Sequence, residues 1–255
     1  MGKTLPLALV YVVSLVTRYW AMQRNSIHGG IQVTLALQPL VIIFMSRHKI
    51  AEHSSSRSLW IIAITCIFVA LAVWSPAFRM VYFEETFGIL ENASKLYFLV
   101  TSWVLAFMAV ALSSLFYISA TQFFDSYPGV SLLMFVRHFS SLCFLLLLVV
   151  WPVVESPVGV LETVDSRGIY MALGVAAIGA LAFVLKMWLL TVPLVGGPAG
   201  LCMLEHYRTL ICLGIGWWVY GYLYSGLQMS GLVIGGGALV LWSLCRIIQA
   251  KVRNK

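Results

Sequence analysis

Five charged side chains fall inside otherwise apolar runs of the chain: Arg18, Arg137, Lys186, Glu205 and Arg208. Burying any one of them in hydrocarbon costs about 2.5–3.5 kcal/mol on insertion scales, so such groups face a bundle interior, a partner or an aqueous cavity. Two of them lie close together in GLCMLEHYRTLICLG, residues 200–214, with His206 between them. Glu205 and Arg208 are spaced i, i+3 and share one helix face, which predicts an ion pair that lowers the cost of both. His206 points about 100° away, given 3.6 residues per turn. Two chemistries fit the pattern. Arg208 faces a central cavity with Glu205 holding it or exchanging with an anionic substrate, or the pair is self-neutralising and packs against a neighbouring helix. The sum over the intramembrane groups is four basic to one acidic, so a cavity lined by them favours an anion. Arg18 and Lys186 sit within about five residues of a span end, where snorkelling to the interface competes with a functional role.

The elements that must carry these residues follow from composition. The 255 residues are 61% apolar and 10% charged, with a mean hydropathy of +0.96, far from the soluble average of about half apolar and a quarter charged. The apolar runs are continuous and do not alternate, which selects helices over barrel strands. Eight spans are expected, at 5–23, 31–46, 59–76, 96–119, 130–154, 169–190, 198–222 and 230–247, in an all-α, polytopic, single-domain membrane protein. Small-residue ridges, Gly231 to Gly235-Gly236-Gly237-Ala238 in the last span, predict close helix approach, and Gly196-Gly197-Pro198-Ala199-Gly200 opens the seventh.

Basic residues set the orientation. With both termini cytosolic, Lys3, Arg47, Lys49, Arg57, Arg246, Lys251, Arg253 and Lys255 fall on the cytosolic side, and Arg24, Arg79, Lys95 and Arg167 opposite. The opposite side collects Glu84, Glu85, Glu91, Glu155, Glu162 and Asp165, together with the one N-glycosylation pattern, at Asn92-Ala93-Ser94. The net charge of +7 is then mainly a topology signal, and no continuous basic patch points to nucleic acid. All five cysteines lie in expected spans without metal-ligand spacing and read as packing residues. No metal or other cofactor is expected, and no nucleophile has an evident base, so an enzyme is disfavoured.

Three stretches resemble the nucleotide-sugar transporters of the drug/metabolite transporter superfamily, and most the UAA branch, which includes carriers for UDP-N-acetylglucosamine and UDP-xylose. TRYWAMQRNSIHGGIQVTLALQPLVIIFMSRHKIAEHSSSRSLWIIAITCIFVALAVWS (17–75) is similar to that family's third to fifth helices, SSLFYISATQFFDSYPGVSLLMFVRHFSSLCFLLLL (113–148) to its sixth and seventh, and YSGLQMSGLVIGGGALVLWSLCR (224–246) to its last. SLWIIAITCIFVALAVWS and QMSGLVIGGGALVLWS also echo each other, as internal repeats of transporters do. The resemblance implies ten helices in two inverted halves, of which the eight spans correspond to the third to tenth. Residues 1–76 are then the remnant of the first half and 96–255 the second. It also implies alternating-access exchange of a nucleotide-sugar for a nucleoside monophosphate across a Golgi or endoplasmic reticulum membrane.

Carried over residue by residue, Arg137 and Arg208 would hold the diphosphate, Lys186 would be a third cation, Phe135 and Tyr207 would offer aromatic surface to the base, and Glu205 would orient Arg208. Two positions depart from the family pattern. Phe135-Val136-Arg137-His138 stands where an aromatic-aromatic-Asn cluster is usual, and Glu205-His206 where a basic pair is usual. The expected partners are the lipid bilayer and an anionic small molecule, with homodimerisation left open. The contrasting expectation is a non-transporting membrane subunit whose charges are helix-to-helix pairs.

Overall fold

A computed structural model describes residues 4–24, 29–46, 56–73, 89–154, 166–192, 197–220 and 224–253. Within them the chain forms helices α1 (Leu5–Arg24), α2 (Gly29–Ala36), α3 (Gln38–Met45), α4 (Ser56–Val73), α5 (Ile89–Ser126), α6 (Leu132–Val154), α7 (Ser166–Thr191), α8 (Gly197–Tyr220) and α9 (Gly226–Arg253), and no strand. Four segments are long and apolar enough to cross a bilayer by themselves: Leu5–Gln23, Val100–Ser126, Leu132–Val150 and Gly226–Ile248. Leu59–Val73 and Ala176–Thr191 are shorter apolar helices. The protein is an all-α, multi-pass membrane protein, and large apolar side chains such as Leu133, Phe144 and Val149 of α6 stand exposed where lipid would meet them.

Two expected spans differ in form. The run 31–46 is two helices, α2 and α3, parted at Leu37. Pro39 is the reason: it has no N–H for the carbonyl of Leu35 and its ring crowds that carbonyl. The chain restarts on bonds from Leu40 N and Val41 N to the Leu37 carbonyl, at 3.0 and 3.3 Å. The run 96–119 lies inside the 38-residue α5, which extends beyond it at both ends. Asn92 is consequently in the first turns of α5, in a helix where a loop was expected. Lys3, Arg47, Lys49, Arg79, Glu84, Glu85, Glu155, Glu162, Asp165, Gly196 and Lys255 lie outside the described residues.

Two helix pairs organise the bundle. In the first, α1 lies along α5, where Ala8, Ala21, Ala106 and Ala109 bring the backbones close. Ser14 Oγ donates to the Ala109 carbonyl and Ser102 Oγ to the Ala21 carbonyl, each at 3.2 Å. Small residues with hydroxyl links are how helices hold together where lipid is as apolar as the side chains. In the second, α4 lies along α9. A Cβ on Gly231 would stand 2.5 Å from the Ala72 nitrogen and 2.7 Å from the Phe68 oxygen, and one on Gly235 would stand 3.3 Å from the Val69 nitrogen. The glycine ridge of the last span therefore serves backbone-to-backbone packing.

Between the pairs run α3 and α8, which contact each other. Gln38 Nε2 of α3 donates to Ser113 Oγ of α5 at 2.9 Å. Tyr207 of α8 donates to the Leu239 carbonyl of α9 at 3.0 Å and lies 2.7 Å from Ser243 Oγ. At the other end of the molecule, α6 and α7 close on α1 and α5 through a chain of aromatic rings. Phe139 stacks on Phe135 and on Phe183 with centroids 5.4 and 5.5 Å apart, and Tyr11 meets Phe116, Phe139 and Phe183. Residues 176–181 of α7 are exposed at every position, whereas Met187 and Leu190 further along the helix are buried.

Candidate anion cavity

Four helices enclose a cavity of about 240 Å³. Helix α1 contributes Tyr11, Ser14, Leu15 and Arg18, which recur at i, i+3, i+4 and i+7 and so share one face. Helix α2 contributes Thr34 and Leu35, the two residues ahead of the break. Helix α5 adds Ser113 and Tyr117 to a wall of small residues, and α7 adds Gly179, Ala182, Phe183 and Lys186. The lining is thus a ring of hydroxyls and aromatic rings with two cations, Arg18 and Lys186, an arrangement that offers hydrogen bonds and positive charge to one small anion.

The two cations differ in their compensation. Lys186 Nζ lies 2.5 Å from Glu205 Oε1, an ion pair between α7 and α8 in which both side chains keep about 30% exposure. Apart from this pair, Glu205 Oε1 is buried with no hydrogen-bond partner among the described residues. The Nε of Arg18 is buried and likewise has none there.

The residues singled out from sequence scatter over the molecule. Glu205 pairs with Lys186 and not with Arg208. Positions 205 and 208 are about 60° apart around the helix axis, and a cation on the adjacent helix faces the first of them. Arg208 is exposed and heads the outer stripe of α8 with Ile211, Cys212, Ile215 and Trp218. Arg137 is exposed on α6. Its carbonyl accepts from Ser140 and Ser141 Oγ, and Arg137 is not among the residues that line the cavity. Phe135 is 2% exposed inside the aromatic chain, and the Tyr207 hydroxyl is committed to α9. His206 is buried, with Nε2 3.9 Å from Cys66 Sγ of α4. Of the six residues, Lys186 alone lines the cavity, with Glu205 behind it.

Arg18 is the site residue the sequence reading set aside. Its distance from the span end suggested snorkelling, yet Tyr11 and Ser14, seven and four positions earlier on the same face, already marked that face as polar. Among the described residues no group of three or more His, Cys, Asp or Glu side chains could hold a metal ion. No protein-family model matches this chain, and no curated protein matches it either.

Proposed function

We propose that the protein is a membrane carrier for an organic anion, with Arg18 and Lys186 as its anion-binding cations. The observation that carries this reading is a cavity inside an apolar helix bundle whose wall holds two cations, one of them with a buried, unpartnered nitrogen. A guanidinium with a buried nitrogen that finds no partner among the described residues costs stability in a bilayer, and anion recognition is the function that offsets it. The substrate class proposed from the sequence resemblance is a nucleotide-sugar, such as UDP-N-acetylglucosamine or UDP-xylose, exchanged for a nucleoside monophosphate across a Golgi or endoplasmic reticulum membrane with both termini cytosolic. The pairing of α4 with α9 and of α3 with α8 supports two related halves, since each pair joins helices that correspond under the proposed repeat. Under it the bare sides of α7 and α8 correspond to the sides of α1 and of α2–α3 that rest on α5. Sites for drug-sized ligands occupy about 300–1,000 Å³, so admitting a whole nucleotide-sugar requires the walls to separate from the 240 Å³ seen here.

The interhelical Lys186–Glu205 pair favours a second reading, a non-transporting membrane subunit whose charges only join helices. Counterflow exchange in proteoliposomes, over a panel of nucleotide sugars and with Arg18→Ala and Arg208→Ala beside wild type, separates the two. The carrier gives exchange that Arg18→Ala reduces at least tenfold and Arg208→Ala leaves within about twofold. Absence of exchange with every sugar, from protein that elutes as a single folded species, decides for the subunit.

A further inference from the structure

We infer that Glu205 is an internal competitor for the transported anion: it occupies Lys186 while the cavity is empty, and a dianion entering the cavity takes Lys186 from it. This rests on the carrier reading above and adds to it a mechanism of recognition and coupling.

The charges decide the first half of the argument. Lys186 borders the cavity, but its charge is matched from behind by Glu205 on α8, whereas Arg18 on α1 has no matching carboxylate among the described residues. The three groups sum to one positive charge, which a monoanion satisfies at Arg18 alone. A second negative charge needs Lys186 and must compete with the carboxylate already there. Glu205 is an effective competitor, because Oε1 has no other hydrogen bond among the described residues and is left buried and unpaired once the ammonium turns away. Lys186 is well suited to the exchange, being a single point charge on a flexible four-carbon stem and not a rigid fork.

The helices decide the second half. Lys186 and Glu205 join α7 to α8, and residues 176–181 of α7 are exposed at every position. Substrate that captures Lys186 therefore removes a tie between the cavity's outer wall and its neighbour, while an empty cavity restores it. Binding and loosening of α7 become one event, which gives preference to exchange over passage of the empty carrier.

Inorganic pyrophosphate is the probe, since it offers the two linked phosphoryl groups of a diphosphate, with at least two negative charges at neutral pH, without a base or sugar, and its binding to the purified full chain is read by titration calorimetry. Glu205→Gln frees Lys186 and is expected to tighten pyrophosphate binding at least tenfold over wild type. Glu205→Asp keeps the charge and the fold but draws the carboxylate back by one methylene, and is expected to tighten it by a smaller factor. In Lys186→Met/Glu205→Gln the gain disappears and affinity falls below wild type. A merely structural ion pair predicts equal or weaker binding in Glu205→Gln and Glu205→Asp. That result, with measurable wild-type binding, overturns the inference and leaves the carrier standing. No pyrophosphate binding by any variant, together with no nucleotide-sugar exchange by wild type, overturns both.

Discussion

The two helix pairs of this bundle are held by opposite means. The α4–α9 crossing is dry and backbone-tight, with Gly231 and Gly235 set against Phe68, Val69 and Ala72. The α1–α5 pair packs through buried alanines and is laced with Ser14, Ser102 and, where α3 joins it, Ser113 to Gln38. The cavity opens beside the α1–α5 pair and not beside α4–α9. The difference teaches where this protein can admit a polar guest. Hydroxyls and amides already present on the α1–α5 side can trade partners with a ligand, whereas the α4–α9 side has no space and no polar group to offer at its glycines.

The largest effect expected from breaking this contrast is at Gly231. Alanine there must push two backbones apart, because the atoms it meets at 2.5–2.9 Å belong to main chain and cannot turn aside. Gly231→Ala should cost about 3 kcal/mol, the upper part of the range for overpacking, read as a lowered melting temperature in detergent. Gly235→Ala, whose nearest contact is 3.3 Å, should cost well under half of that. Equal losses at the two glycines would mean that the pair is not held by close approach at this point.

Lys186→Met comes next, because it leaves Glu205 without its partner. Stranding one member of a fully buried pair costs about 3–5 kcal/mol, and the 30% and 27% exposure of these side chains reduces the expected loss to about 2 kcal/mol. Adding Glu205→Gln should return most of it in the same melting assay, which separates a charge effect from a packing one. The smallest effect is at Ser14→Ala, which removes one interhelical hydrogen bond worth about 0.6 kcal/mol in a membrane. Its value lies in the contrast with Gly231, since the polar pair should tolerate loss of a link far better than the glycine pair tolerates one added methyl.

Much of the architecture is legible in the sequence, because twenty apolar residues in a row leave the backbone no choice but to satisfy itself as helix. The glycine ridge of the last span is legible for a related reason: four glycines within seven positions on a membrane helix have few uses besides close contact. The site is legible only in part. Helical periodicity says which residues share a face, and Tyr11, Ser14 and Arg18 do share one, although Arg18 was read as near enough to its span end to snorkel. It does not say which helix stands opposite, so Glu205 was matched to Arg208 on its own helix when Lys186 of α7 lies nearer. The break at Leu37 was present in Leu-Gln-Pro and was overrun by a hydropathy pattern that does not register a missing N–H.

That break has a consequence for the cavity's own chemistry. Leu35, whose carbonyl loses its usual donor to Pro39, is one of the residues lining the cavity, and so is its neighbour Thr34. A rung left out of the ladder makes the rod easiest to bend at that rung. Helix α2 rests on α4 and α5, while α3 rests on α5 and α8. The two short rods can therefore follow different neighbours, so that a shift of α8 carried by α3 need not pass Leu37 to disturb the cavity wall at Thr34 and Leu35.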